Sequence, residues 1–560
     1  MKDIQSFCLE NIKNKIYDAV LTFADETNSN ADIKLDDISV EIPADFKNGD
    51  FACSYPLSAA KIFRLPPFEI AKKIVSLTDP KIPYIKSVQV AKPGFINFFV
   101  DEEYFSNVIA EIMTQKDNYG HTDYGQGKKV NLEFVSANPT GPMHMGNARG
   151  GAIGDSLANV MQAAGYKVNR EFYINDAGNQ IDKFGLSLEI RYLQHFYGED
   201  KYQLPEDSYH GEDIKLLVEK YIDKYGDNLL EKEPKERQKA LIEFGLPINI
   251  DNIKKTMKKY RIEYDTWFRE SSLYKSGEID KAIELMKQKG LTYEKDGALW
   301  YKANEHGGEK DEVLVRANNI PTYFTGDIAY HINKIKERKY DICINVWGAD
   351  HHGHVSRLKN VLDAIGLDSS KLEVVLMQLV RLVRDGEAVR MSKRTGKALT
   401  LSDLLEEIPI DASRFYFNMQ KASSSMDFDL DLAVQKTKDN PVYYCQYAYA
   451  RICSIFQNTD ITETENINIS KLNLEEEKRL IFTLSSFPRI IINASDKRDP
   501  SDITKYALLI ANEFHSYYSK TKIITEDKEI TKNRLSLCRA CAITLKNVLS
   551  MLKIEVFEKM

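Results

Sequence analysis

The sequence predicts an α/β protein. A doubly wound parallel sheet forms its centre, with a small α+β domain before it and an all-α bundle after it. Three observations lead there. The chain has 560 residues, enough for about three domains with a core in each. A strand, a turn, a helix and a second strand follow one another over residues 130–174, which is a βαβ unit. Strand and helix signals then alternate as far as residue 401, which implies parallel strands, and the remainder is helical in pattern.

Residues 1–115 make the first unit. A helix opens at Ile4, and short apolar segments follow, DISVEI and the run Ile85–Val100. Turns are signalled by Pro56, Pro66-Pro67, Pro83 and Pro93-Gly94. The Gly- and Asp-rich stretch Tyr119–Lys129 reads as a linker into the second unit, 116–401. There the strand Val130–Ser136 meets the turn Asn138-Pro139-Thr140-Gly141-Pro142. The helix after it buries Ile153, Leu157, Val160, Met161 and Ala164, and Gly165 sits where a C-cap belongs. The strand Val168–Ile174 completes the βαβ unit. The charged stretch 185–265 is a helical insertion. Strand-like segments return at Ala298–Tyr301, Tyr323–Ile328, Asp341–Trp347 and Glu373–Leu379. Residues 402–560 are the helical bundle.

Composition excludes several classes. Acids outnumber bases 83 to 76, a net charge of −7, so the protein does not coat nucleic acid by bulk positive charge. Base is nevertheless in slight excess over 435–560, and Arg381–Lys397 holds six basic and two acidic residues, which would suit a polyanion. No apolar run approaches the about 18 residues of a membrane span. The charged start is not a secretory signal, and the seven scattered cysteines fit reduced thiols, so the cytosol is expected. Cys538 and Cys541 form a C-x-x-C within the apolar stripe Leu535, Cys538, Ala542, Leu545, Leu549 and Leu552, the pattern of core thiols.

Four segments carry candidate chemistry. Glu133 and Asn138 interrupt an apolar strand at its carboxyl end, where open α/β sheets bind ligands. His144-Met145-Gly146-Asn147 stands where a strand turns into a helix, and free N–H groups there favour phosphate. A Gly/Ala-rich helix packed tightly on the sheet has the same composition. Arg390-Met391-Ser392-Lys393-Arg394 is a cationic loop able to close over a triphosphate, or simply an exposed basic loop. Asp350-His351-His352-Gly353-His354 clusters histidines without a second ligand group, a weak metal signal, and no metal site is expected.

Taken together, and in this order, the second and third segments resemble the two ATP motifs of class I aminoacyl-tRNA synthetases. Asn147 replaces the second histidine of the first motif. Arg390 and Arg394 replace the terminal lysine and serine of the other, while Ser392-Lys393 is retained. The stretches Glu133–Pro142, Tyr173–Gln180 and Tyr323–His331 resemble the arginyl-tRNA synthetases in particular, and with the flanking domains the likeness covers essentially the whole chain.

This resemblance implies a Rossmann-like catalytic domain and ligation of L-arginine to its tRNA through an arginyl-adenylate. It implies ATP with Mg2+ as substrate complex, no permanent cofactor, no membrane partner and a monomer. The family generally needs bound tRNA before it activates arginine. His144, Gly146, Asn147, Ser392 and Lys393 are expected at the phosphates, and Gly348, Asp350 and Met391 at ribose and adenine. Glu133, Ser136, Asn138, Tyr323, Asp327 and His351 are expected around the arginine, whose guanidinium calls for carboxylates. Tyr323 and Asp327, four residues apart, share one face if that segment is helical. Phe95 and Asn97 of the first domain are candidate tRNA contacts. So are Tyr443, Tyr447 and Arg451, aromatics interleaved with arginine that suit unpaired bases or, equally, packing on a neighbouring domain.

Overall fold

The computed structural model describes residues 3–29, 31–43, 45–389, 399–464 and 466–560. The basic segment Arg390–Arg394, with the predicted site residues Met391, Ser392 and Lys393, lies outside the described residues.

The chain opens with the helix Ile4–Glu26, capped by Asp3, whose carboxylate accepts the Ser6 N–H. It packs beside an antiparallel sheet of β1 (Val40–Glu41), β2 (Phe51–Cys53), β3 (Ile85–Ala91) and β4 (Phe95–Val100), in the order β1-β2-β4-β3. This unit is bound to the C-terminal bundle. Gln5 donates to Ser485 (3.1 Å) and Ser486 (2.9 Å), and Phe51 and Tyr104 pack on Phe482.

The central sheet begins with β5 (Lys129–Glu133), β6 (Lys167–Ile174) and β7 (Thr266–Arg269). A separate antiparallel sheet, β8 (Thr292–Lys295), β9 (Ala298–Tyr301) and β10 (Glu312–Val315), follows. β11 (Ile342–Gly348) and β12 (Leu372–Met377) then return to the first sheet. Its order, β12-β11-β5-β6-β7, is parallel throughout. The chain therefore reverses direction across the sheet between β5 and β11, and Glu133 pairs with Asn345 at that switch. Ligands bind at such points, beyond the carboxyl ends of the strands. The helix Gly146–Ala163 covers one face, and Gly154 lets Phe134 pack against it. A Cβ at Gly154 would lie 2.2 Å from the Phe134 ring.

Four expectations change. The first strand ends at Glu133, because Val135 (φ 71°) and Ser136 (φ 42°) turn left-handed and leave the ladder. Tyr323–Ile328 belongs to a helix, Tyr323–Ile332. Its aromatic and β-branched residues suggested a strand, but Phe324 and Ile328 are buried four residues apart, so helical packing prevails over propensity. Ala298–Tyr301 is a strand of the small antiparallel sheet, because its neighbours in the chain pair with it as hairpins. The region after 402 is not wholly helical. β15 (Met426–Asp429) pairs in parallel with β13 (Val380–Arg384), which also holds β14 (Glu387–Ala388).

The insertion is helical as expected, with Asn179–Tyr197, Glu212–Tyr225 and Pro234–Lys259 packed together. In the bundle, Val442, Cys445 and Ile452 are buried, whereas Tyr449, Cys453 and Phe456 are half-buried. Cys538 and Cys541 are core thiols, and burial pushes Cys538 up to about 12. Among the described residues no helix is long and apolar enough to cross a membrane.

Candidate active site

Most of the predicted residues lie on the segments that leave the carboxyl ends of β5 and β11 and on the helix Tyr323–Ile332, where an open α/β sheet forms its ligand crevice. Asp327 lies on the Tyr323–Ile332 helix, its side chain about one-third exposed. Its Oδ2 accepts the Nε2–H of His354 at 2.8 Å. His354, rather than His351, is thus the histidine against this carboxylate. His351 is more than half exposed and lies beside Trp347, with Asp350 3.8 Å away. His351 and His354 both lie beside Trp347, but of the two it is His354 that reaches Asp327. Among the described residues no group of three or more His, Cys, Asp or Glu side chains converges on a metal position.

Glu270 immediately follows β7 and is 3% exposed. Burial, together with the negative charges of Asp327 and Asp176, pushes its carboxyl up to about 8. With its nitrogen turned inward, the Asn175 amide donates to Glu270 Oε2 at 2.6 Å. Asp176 is held by the Ser271 N–H (2.8 Å) and hydroxyl (2.9 Å). Sequence reasoning missed Glu270, which lies just past the charged insertion in a stretch given no element. Its position at the carboxyl end of a short aromatic strand, TWFRE, is the signal that could have found it.

Glu133 is buried and already engaged. Its Oε2 accepts from Lys334 Nζ at 2.6 Å, and its Oε1 accepts from Ser136 Oγ at 3.1 Å. Ser136 Oγ in turn accepts the Tyr173 N–H (3.1 Å). Asn138, two residues beyond, is exposed at the crevice. Tyr323 is 45% exposed, beside Gly178, whose φ of 74° only glycine takes readily. A Cβ there would stand 3.6 Å from the Tyr323 hydroxyl.

His144 is exposed, and its Nδ1 accepts the Gly146 N–H at 3.1 Å. In the neutral ring this leaves Nε2 carrying the hydrogen. Asn147 donates its N–H to the His144 carbonyl (3.0 Å). This turn is sewn to the chain just after the basic segment. Met145 N–H donates to Leu399 O (3.1 Å), Leu401 N–H donates to Met143 O (2.9 Å), and His144 bridges Thr400. Two segments some 250 residues apart in sequence are therefore neighbours in space. Gly348 ends β11 nearby, with Asp350 exposed.

The other predicted residues lie elsewhere. Arg451 donates to the Tyr447 hydroxyl (2.7 Å) and lies over the rings of Tyr447 (4.6 Å) and Tyr518 (4.9 Å). These three line a cleft of about 880 Å3 that includes Lys522 and the terminal residues Glu558–Met560. Tyr443 stacks near-parallel to Tyr447, centroids 6.1 Å apart, and faces an adjoining cleft. In the N-terminal sheet Phe95 is half-buried. Asn97 is 5% exposed, and its Oδ1 has no hydrogen-bond partner among the described residues.

Residues 108–435 match the family model for the catalytic domain of class I (R) tRNA synthetases, more than half of the chain, so fold and site define a class I aminoacyl-tRNA synthetase. Residues 10–100 match the arginyl tRNA synthetase N terminal domain, and residues 445–560 the DALR anticodon binding domain. The chain is 48% identical to the arginine–tRNA ligase of Caldanaerobacter subterraneus, covering 99% of this chain and 100% of that one. It is 47% identical to that of Acetivibrio thermocellus, covering 99% of each. Its fold matches the arginyl-tRNA synthetase of Thermus thermophilus with a TM-score of 0.76 at 20% identity, over 99% of this chain and 100% of that one. The chain belongs to the arginyl-tRNA synthetase family. It is an enzyme that joins arginine to tRNA, with ATP as the activating substrate.

Proposed function

We propose that the crevice at the β5–β11 switch holds arginine and ATP side by side, with the guanidinium at Asp327 and Glu270 and the phosphates at His144–Asn147. The observation that carries this reading is a pair of carboxylates close enough to repel one another, Asp327 one-third exposed and Glu270 buried, with no cation paired to Glu270 among the described residues. A cationic side chain is the ligand that relieves their repulsion. Tyr323 walls the pocket, and Ser136 and Asn138 hold the α-amino and carboxylate end. The arginine carboxylate attacks the α-phosphate of ATP in line, releasing pyrophosphate. The terminal adenosine hydroxyl of the tRNA then attacks the adenylate and releases AMP. Little covalent chemistry falls to the protein, so positioning and charge stabilisation dominate. The Nε2–H of His144 donates to a phosphate oxygen. Ser392 and Lys393 meet the leaving pyrophosphate, and Gly348, Asp350 and Met391 meet the adenosine. Mg2+ arrives as part of the ATP complex. Charging total tRNA with each of the twenty amino acids tests the reading, and preference for any amino acid other than arginine overturns it.

The Glu270 carboxyl predicts a pH dependence. With its acidity near 8 it holds a proton at neutral pH in the empty site. A guanidinium favours the ionised form, so binding releases that proton and tightens as pH rises. The KM for arginine is expected to fall about tenfold or more between about pH 6 and 8. Glu270→Gln flattens that slope. An unchanged slope in the variant removes Glu270 from the pocket.

The aromatic cleft of the bundle is proposed as the anticodon site, with Tyr443, Tyr447 and Arg451 stacking on unpaired bases. Arg451→Ala is expected to raise the KM for tRNA about tenfold, the value of one stacked base, while the KM for ATP stays unchanged. An unaltered tRNA KM overturns this assignment. Phe95, with the unpartnered Asn97 carbonyl behind it, is proposed as a second tRNA contact. We propose working units of 1–115, 116–401 and 402–560, with 402–434 as the joint between the last two. The protein is proposed to act as a monomer in the cytosol, where its family serves translation, and sedimentation measures the first point.

A further inference from the structure

A buried polar chain joins the two ends of the amino-acid site. His331 lies beneath Asp327, and its Nδ1–H donates to the Asp327 carbonyl at 2.7 Å. Burial, with Lys334 nearby, pushes this imidazole down to about 3, so the ring is neutral and its Nε2 accepts the Asn345 amide (3.0 Å). Asn345 Oδ1 accepts from Lys334 Nζ at 3.0 Å. The same ammonium donates to Glu133 Oε2 at 2.6 Å and lies 4.2 Å from the Tyr330 ring centroid. Glu133 then accepts from Ser136, and Ser136 accepts the Tyr173 N–H. The sequence of bonds thus runs from Asp327 to the left-handed hook at Val135–Ser136 that delivers Asn138.

Lys334 is the only cation in this chain of bonds, and it has no exposed surface. It sits in a π-helical turn, Asn333–Glu337, that follows the Asp327 helix directly. Such turns are rare and gather at functional sites. A buried lysine is stable only when its charge is matched, and here the match is Glu133. Glu133, for its part, is saturated by Lys334 and Ser136, and it is 6% exposed.

Resting on the arginine-site reading above, we infer that Lys334 is a positioning residue for the amino-acid site. It neutralises Glu133 and, through Glu133 and Ser136, holds the hook that presents Asn138. Glu133 then supplies shape rather than charge to the pocket. Selection of a cationic side chain falls to Asp327 and Glu270 alone.

The test compares Lys334→Gln with the double variant E133Q/K334Q, in which a neutral hydrogen-bonding pair replaces the ion pair. Two quantities are read: the KM values for arginine and ATP, and the inhibition constant of citrulline, the uncharged isostere of arginine, relative to the arginine KM. Lys334→Gln leaves a buried carboxylate unmatched. It is expected to raise the arginine KM at least about tenfold, with the ATP KM within about threefold of wild type. The double variant is expected to recover most of that loss and to keep the wild-type preference for arginine over citrulline within about threefold.

If the double variant loses that preference by about tenfold or more, Glu133 carries guanidinium charge and the inference fails. It fails too if Lys334→Gln leaves the arginine KM unmoved. Should the single variant not fold, the double variant alone decides through the preference. Failure of the underlying reading has a different signature, a wild-type protein that does not distinguish arginine from citrulline.

Discussion

Asp327→Ala is expected to lower kcat/KM for arginine by at least about a hundredfold, equivalent to about 3 kcal/mol of lost transition-state binding, while the KM for ATP stays within about threefold. Asp327 is the carboxylate at the mouth of the crevice, with its Oδ2 oriented by His354 at 2.8 Å and its own carbonyl held by His331 at 2.7 Å. Both bonds keep the group in place, so little is spent on ordering it when a guanidinium arrives. A planar cation meeting a prepositioned carboxylate forms charge-assisted hydrogen bonds, which are about twice as strong as neutral ones. The proposed phosphate end, at His144–Asn147, is built from a different turn. Arginine-dependent pyrophosphate exchange with tRNA present separates the two ends. A variant with unaltered arginine kinetics takes Asp327 out of the pocket. One that loses ATP binding equally points to a general collapse of the crevice.

The largest effect on stability is expected from Asp155→Asn. Asp155 lies fully buried on the Gly146–Ala163 helix. Its carboxylate accepts from Arg414 at 2.6 Å, Lys553 at 3.0 Å and Arg170 at 3.2 Å. Arg414 is also fully buried and reaches the Leu552 carbonyl (2.6 Å) and the Tyr260 carbonyl (3.1 Å). One anion thus matches three cations contributed by the catalytic sheet, the joint and the end of the last helix. With an amide in its place, the three cations repel one another in a medium that screens poorly. Breaking a buried pair by removing one partner costs about 3–5 kcal/mol, and here the lost partner is shared. The midpoint of thermal unfolding is expected to drop by about 3–4 °C, because a chain of this length carries a large unfolding entropy. A drop of less than about 2 °C would falsify the view that this carboxylate ties the helix to the bundle.

Much of the molecule was legible in the sequence wherever the information is local. The helix after Pro142 announced itself by apolar spacing and a glycine cap. The two ATP segments announced themselves by residue type at a strand-to-helix turn and in a basic loop. Tyr323–Ile328 misled because its residues suit a strand, and only the four-residue spacing of Phe324 and Ile328 against the core made it a helix. His354 was visible within a cluster of histidines, but nothing in that cluster says which one turns inward.

The sequence by itself determined the order of domains, the βαβ framework and the class of reaction. Those depend on periodicity and turn chemistry within a few residues of one another. Only the tertiary structure decided which charges face one another. Glu133 meets Lys334 across 201 positions, Asp155 meets Arg414 across 259, and Glu270 comes close to Asp327 from just beyond β7. Periodicity tells which face of an element is buried but not what covers it. A charge's role, whether it binds substrate or balances another charge, depends on that partner and on the water excluded around both.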